Sequence, residues 1–201
     1  MGSSYESEMK EKGESQNLDG RLNITFINYI CQASPLTRTK DENIHHFFRK
    51  VTLINSFTDR EVWLFTKFLH RREFNAGEVV FNQGDSGYGF YFILKGSVDI
   101  HTHIGEANPE KPYGEKVLKL EQYQYFGEMG LLEEFNRRNA TIVARENTVL
   151  LGIFKPDLEE LMMKHPVLGT KFLRIMTVIL AERMGELTKE LLNSKKIEIK
   201  A

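Results

Sequence analysis

Cysteine is almost missing from the 201 residues: Cys31 stands alone, which excludes an internal disulfide and a thiolate zinc cluster. An excess of charge of one sign is missing too. Lys+Arg 27 against Asp+Glu 28 gives a formal net charge of -1, so no global positive field collects nucleic acid or anionic lipid, and any anion site must be local. Long apolar runs are absent, the longest nearly uncharged one covering 175–181, far short of the roughly 18–20 residues that cross a bilayer. Nothing at the start reads as a signal peptide. These absences predict a soluble, cytoplasmic protein with no membrane and no nucleic-acid partner. What is present is 41% apolar residues, enough to fill the core of one or two domains.

Segment 1–21 is rich in Ser, Glu, Lys and Gly and poor in bulky apolar residues, so it reads as a flexible tail. An N-terminal helical segment follows over 22–57. Residues 22–31 suit a short helix, Pro35 interrupts, and Asp41-Glu42 opens a second one with Ile44, Phe47, Phe48 and Val51 at helical spacing. Thr58 followed three residues later by Glu61 signals a capped third helix that carries Val62, Leu64, Phe65, Phe68 and Leu69 and ends near His70. Trp63 and the phenylalanines of these helices read as core. The pattern then becomes that of short strands bounded by glycine turns, expected at 78–81, 89–94, 97–103, 116–120, 140–145 and 148–154, with a polar hairpin loop over 104–115. Helical spacing returns at Lys155-Pro156-Asp157, and Pro166 starts a long apolar-striped helix that runs to about Asn193. The expected class is mainly β with flanking helices, an α+β barrel domain over 58–201.

The stretch YFGEMGLLEEFNRRNATIVA, 125–144, interrupts strand-like sequence with charge and glycine. Gly127 and Gly130 let the backbone approach another group closely, and 129–135 suits about one and a half helical turns whose free N–H groups bind phosphate. An arginine nearby adds a bidentate clamp, for which Arg137 and Arg138 are the candidates. Glu128 cannot ligate phosphate, being itself anionic, but an ionised carboxylate accepts well from a sugar hydroxyl. Acceptor, amides and arginine together suit a ribose phosphate.

Phe126-Gly127-Glu128, then Arg138-Asn139-Ala140-Thr141, resembles the phosphate-binding cassette of the cyclic-nucleotide-binding domain family. Upstream, Gly84-Asp85 and Lys95-Gly96-Ser97-Val98 resemble that family's turn and hairpin, and the resemblance runs from about Thr58 to Leu191. It implies a jelly-roll β-barrel with N-terminal helices and a long C-terminal helix. It also implies cAMP or cGMP as ligand, with no other cofactor and no metal. Arg138 rather than Arg137 would pair with the cyclic phosphate, Glu128 would accept the ribose 2'-hydroxyl, and the amides of Gly130 and Leu131 would complete the cradle, with Phe126, Gly127, Met129 and Ala140 around them. Asn139 stands where the family usually has Ser, Thr or Ala. Met184, Leu187 and Thr188 on the last helix are the residues expected over the base. The family's DNA-reading extension has no counterpart in 195–200, so none is expected.

Other chemistry has weaker signals. His101 and His103 share a strand face but lack a third ligand, and Ser86 lacks the flanks of a nucleophile elbow, so no catalytic residues and no enzyme are expected. The functional expectation is a cyclic-nucleotide sensor that transmits occupancy through its C-terminal helix. The alternative is the same fold with an unused pocket, serving as an interaction or dimerisation module. The stripe 168–191 looks wide for one barrel face, which points to a homodimer through that helix or to another protein partner.

Overall fold

The computed structural model describes residues 42–103, 112–132 and 137–198. The sequence-expected tail 1–21, the short helix 22–31 and its break at Pro35, and most of the loop 104–115 lie outside the described residues. Beyond the capped helix, the run Phe90, Tyr91, Phe92, Ile93 is buried without interruption. Successive side chains of a strand point to opposite faces, so a continuous run is buried only where both faces of the sheet are covered. Phe90 and Phe92 pack into a helical layer, whereas Tyr91 and Ile93 pack between two sheets.

Those sheets are antiparallel and four-stranded. One has the order β1 (His70–Phe74), β8 (Thr148–Phe154), β3 (Gly89–Lys95), β6 (Tyr125–Phe126); the other has β2 (Val79–Phe81), β7 (Thr141–Ala144), β4 (Ser97–Thr102), β5 (Glu115–Glu121). Phe81, Val98, Phe126, Ile142, Leu150 and Phe154 fill the space between them. The helices are α1 (Glu42–Lys50), α2 (Asp59–Phe65), α3 (Glu128–Leu132), α4 (Lys155–Lys164) and α5 (Pro166–Glu198). Ile44, Phe47, Phe48 and Val51 from α1 and its end, Phe65 from α2 and Phe172 from α5 join Phe90 and Phe92 in one apolar cluster. Edge-on aromatic contacts such as Phe48 to Phe92, 5.1 Å between centroids, order it. Each fully buried ring contributes roughly 1.5–3 kcal/mol relative to exposure.

The six expected strands are present. Two further strands, β1 and β6, were not foreseen. The helical segment expected to end near His70 ends instead in a 3-10 turn at Thr66–Phe68, and His70 opens β1. HRREF carries charge at three successive positions and pairs with β8 over its whole length, exposing Arg71 and Glu73, so the pairing rather than local composition makes it a strand. Trp63 is not core: 57% exposed, it lies off the face of α2 that buries Val62 and Phe65, and Lys67 Nζ sits 3.4 Å above its ring. Along α5 the stripe Leu168, Phe172, Ile175, Met176, Ile179 is buried, and the described side chains from Ala181 onward are exposed.

Besides the contact of Phe65 with Phe172, a carboxylate joins α2 to α5. Glu61 Oε2 accepts from the Thr58 N–H at 2.8 Å, closing the capping box, while Lys171 Nζ reaches Oε1 at 2.7 Å. The Lys171 bond first, and the Thr58 N–H second, hold the Glu61 carboxyl below its ordinary 4.5. Its stabilising contribution is therefore complete above pH 4.5 and is lost as the pH falls through the lowered value. Glu61→Ala should destabilise by about 1–2 kcal/mol and Glu61→Gln by less, since an amide oxygen still caps. Denaturant unfolding at neutral and acidic pH checks both, and the gap between wild type and Glu61→Ala should narrow in acid.

Candidate functional site

After β6 pairs with Tyr91 and Phe92 of β3, Gly127 adopts φ 89 and turns the chain into α3. This is left-handed backbone that L side chains rarely adopt, and a Cβ there would meet the Gly89 carbonyl oxygen at 2.7 Å. Helix α3 begins at Glu128, one residue before the expected start, and the expected end near Phe135 lies outside the described residues. Phe126 stacks on Tyr91 at 5.3 Å in the inter-sheet core, and Leu131 enters the helical cluster. Their side chains hold the turn in place.

Arg138 is buried, 5% exposed. Its Nη1 donates to the Gly89 carbonyl at 3.0 Å and its guanidinium carbon lies 4.0 Å from the centroid of the Phe81 ring. The Gly84-Asp85 turn fixes its backbone: the Gly84 N–H donates to the Arg138 carbonyl at 2.8 Å, and the Arg138 N–H donates to the Asp85 carbonyl at 2.7 Å. Asp85 Oδ2 in turn accepts from the Asn82 N–H at 2.9 Å. The turn glycine read from sequence as topological thus positions the arginine. Arg137 points the other way, exposed, with Nη1 on the Gly84 carbonyl at 2.9 Å. Of the two adjacent arginines, only Arg138 enters the barrel.

Glu128 is buried as well, 3% exposed. Its Oε1 accepts from Arg183 Nη1 on α5, and its Oε2 has no hydrogen-bond partner among the described residues. Arg183 escaped the sequence reading because a cation one turn past an apolar stripe looks solvated, and only the packing of α5 against the barrel brings it to the cassette. Tyr125 shares this corner. Burial pushes its phenol above the ordinary 10, with Glu182 and Glu128 adding to the rise and Arg183 opposing it.

Asn139 is exposed, its Nδ2 3.2 Å from the thioether of the half-exposed Met129, and Ala140 is partly buried beside it. Met184, at 71%, and Leu187, at 59%, are exposed, and the Thr188 hydroxyl donates to the Met184 carbonyl of its own helix at 2.8 Å. The structure therefore gathers Gly127, Glu128, Gly130 and Arg138 around one point, with Met129, Asn139 and Ala140 nearby, and from α5 it brings Arg183 to Glu128 rather than Met184, Leu187 or Thr188. Among the described residues no group of three His, Cys, Asp or Glu is placed to hold a metal, and no helix is long and apolar enough to cross a membrane.

Residues 71–165 match the family described as the cyclic nucleotide-binding domain. The cyclic AMP receptor protein of Thermus thermophilus is 33% identical over 141 residues, covering 69% of this chain and 60% of that protein. A cAMP-dependent protein kinase regulatory subunit of Hypocrea atroviridis is 26% identical over 158 residues, 77% of this chain and 31% of the subunit. The chain thus spans less than two thirds of these relatives' lengths. Among solved structures, the Thermus thermophilus catabolite activator protein superposes with a TM-score of 0.58 at 31% identity, covering 69% of this chain and 61% of that one. A cyclic nucleotide-binding domain from Methylobacillus flagellatus superposes with a TM-score of 0.63 at 23% identity, over 76% and 83% of the two chains, a likeness of fold.

Three glycines surround the Arg138 guanidinium. A Cβ at Gly130 would lie 2.6 Å from Arg138 Nη1 and 3.2 Å from the Gly87 Cα, and one at Gly87 would lie 3.1 Å from Arg138 Nε. Gly87 was not singled out in the sequence, where it reads as one more turn residue. Gly130→Ala should therefore displace the guanidinium and destabilise by about 1–3 kcal/mol. In an Arg138→Ala background the same change should cost less than half as much, which a double-mutant cycle by denaturant unfolding measures. Equal costs in the two backgrounds would contradict the contact.

Proposed function

This chain carries a domain of the cyclic nucleotide-binding family, and on that premise we propose that it is a cytoplasmic sensor of a cyclic purine mononucleotide, cAMP or cGMP. The observation that carries the reading is Glu128: a carboxylate 3% exposed, with one oxygen held by Arg183 and the other without a partner among the described residues. A buried acceptor of this kind is costly unless a donor satisfies it, and a ribose hydroxyl is such a donor. Arg138 supplies the matching cation for the cyclic phosphate, exchanging its bond to the Gly89 carbonyl for charge-assisted bonds to phosphate oxygens. The amides at Gly130 and Leu131 complete the cradle. Nothing in this constellation asks for bond making or breaking, which supports a binding rather than a catalytic role.

Transmission follows from the same carboxylate. A sugar hydroxyl on Oε2 leaves Arg183 on Oε1, so occupancy and the position of α5 share one residue. Met184, Leu187 and Thr188 lie within the next two turns and would cover the base once this part of α5 folds further over the pocket. Two relatives are named for cAMP, which makes cAMP the first ligand to titrate and cGMP the second. The partner-binding alternative is favoured by the apolar residues that α5 exposes around and beyond its last buried turn: Val178 at 48%, Met184 at 71%, Leu187 at 59% and Leu192 at 57%. We assign that face to a homodimer, and sedimentation with and without nucleotide tests it.

Calorimetric titration with both nucleotides is the deciding experiment. Binding of neither near a millimolar would leave the interaction-module reading in its place. Arg138→Ala should weaken binding by about 100-fold or more, roughly 3 kcal/mol, while Arg137→Ala should change it little. Arg183→Ala should weaken binding by about tenfold, because Glu128 loses the guanidinium that holds its Oε1. Unchanged affinity in that variant would remove α5 from the pathway.

A further inference from the structure

Tyr123 has φ 73, the only non-glycine residue in left-handed backbone among those described. It occupies the third place of the turn that joins β5 to β6, where the Gln124 N–H donates to the Glu121 carbonyl at 3.0 Å, and the following residues lead directly into the cassette. Glycine is the residue that such a position favours, and an aromatic one is strained there. A strained conformation persists where surroundings over-determine it, and it points to a constraint worth identifying. Here the surroundings are specific. The Tyr123 ring stacks on Phe47 of α1 with centroids 5.3 Å apart at 23°, and Lys50 Nζ lies 5.6 Å from its centroid. The Tyr123 N–H donates to the Ile93 carbonyl at 3.0 Å, which fixes the backbone and aims the ring at the helix. A glycine would ease the turn and lose the contact.

We propose that Tyr123 is a positioning residue that ties the entry of the cassette to α1, so that a shift of Tyr125–Glu128 on ligand binding is delivered to the N-terminal helix as well as to α5. The nucleotide-dependent half of this rests on the sensor reading above. The tie itself does not. Other contacts of α1, Phe48 with Phe92 of β3 and with Phe65 of α2, Arg49 with the Phe57 carbonyl and with Asp59, and His45 with Asp59, hold the helix on the core and on α2. Phe47 and Lys50 are the residues of α1 that meet the chain two residues before Tyr125.

Amide exchange followed by mass spectrometry on the full chain, in Tyr123→Gly and Tyr123→Phe, tests this. In the ligand-free protein, Tyr123→Gly should raise exchange in α1 several-fold and leave β4 unchanged, while Tyr123→Phe, which keeps the ring, should match wild type. With saturating cAMP or cGMP, wild type and Tyr123→Phe should change exchange in α1. Tyr123→Gly should bind with affinity within about twofold of wild type yet lose that change. Unaltered α1 exchange in ligand-free Tyr123→Gly overturns the tie, and a full nucleotide response in Tyr123→Gly overturns the relay. If the wild type binds neither nucleotide, the sensor reading and the relay built on it fall together, and the ligand-free comparison alone judges the tie.

Discussion

A guanidinium inside a barrel is the constraint around which this structure is arranged. Burying an arginine is expensive unless its donors are engaged and its plane is packed, and Arg138 lies against an aromatic ring with its Nη1 on a backbone carbonyl. The Gly89 carbonyl accepts from it, the Phe81 ring lies beneath it, and Gly87, Gly127 and Gly130 leave room where any side chain would intrude. Its main chain is gripped by the Gly84-Asp85 turn on both sides. A positive charge so held has its position fixed by the fold, which, on the function proposed above, reduces the ordering that binding an anion requires.

The second buried charge, Glu128, extends that arrangement out of the barrel. Because Arg183 belongs to α5, the carboxylate joins the cassette to the helix that leaves the domain. The same helix is joined at its other end to α2 through Lys171 and Glu61. Between these two ion pairs lie Phe172, Ile175, Met176 and Ile179, whose burial fixes the helix on the sheet. The stretch beyond Arg183 has no such support from the barrel. The division between a packed half and an exposed half of α5 therefore falls beside the residue that reaches Glu128.

Much of this was legible in the chain itself. The Thr58–Glu61 cap, the restart at Pro166, the period-2 strands and the Phe-Gly-Glu to Arg-Asn-Ala spacing depend on neighbours within a few residues or on backbone rules that act locally, so order along the chain suffices to find them. The resemblance pointed to Arg138 rather than Arg137, and in the structure Arg138 is buried and Arg137 exposed.

Other features were decided by what meets across the fold. Strand β1 is charged, and its character comes from pairing with β8. Trp63 is exposed because α2 offers it no neighbour on its side. Gly87 is a turn residue until Arg138 folds over it, and Arg183 is a surface cation until α5 docks. Local sequence determined the helices and the strands other than β1 and β6, and which residues could form the cassette, since propensity, capping and periodicity are properties of short stretches. Tertiary packing decided which charges are buried and with whom they pair, because desolvation and ion pairing depend on distances between residues as far apart as Glu128 and Arg183, which no local pattern encodes.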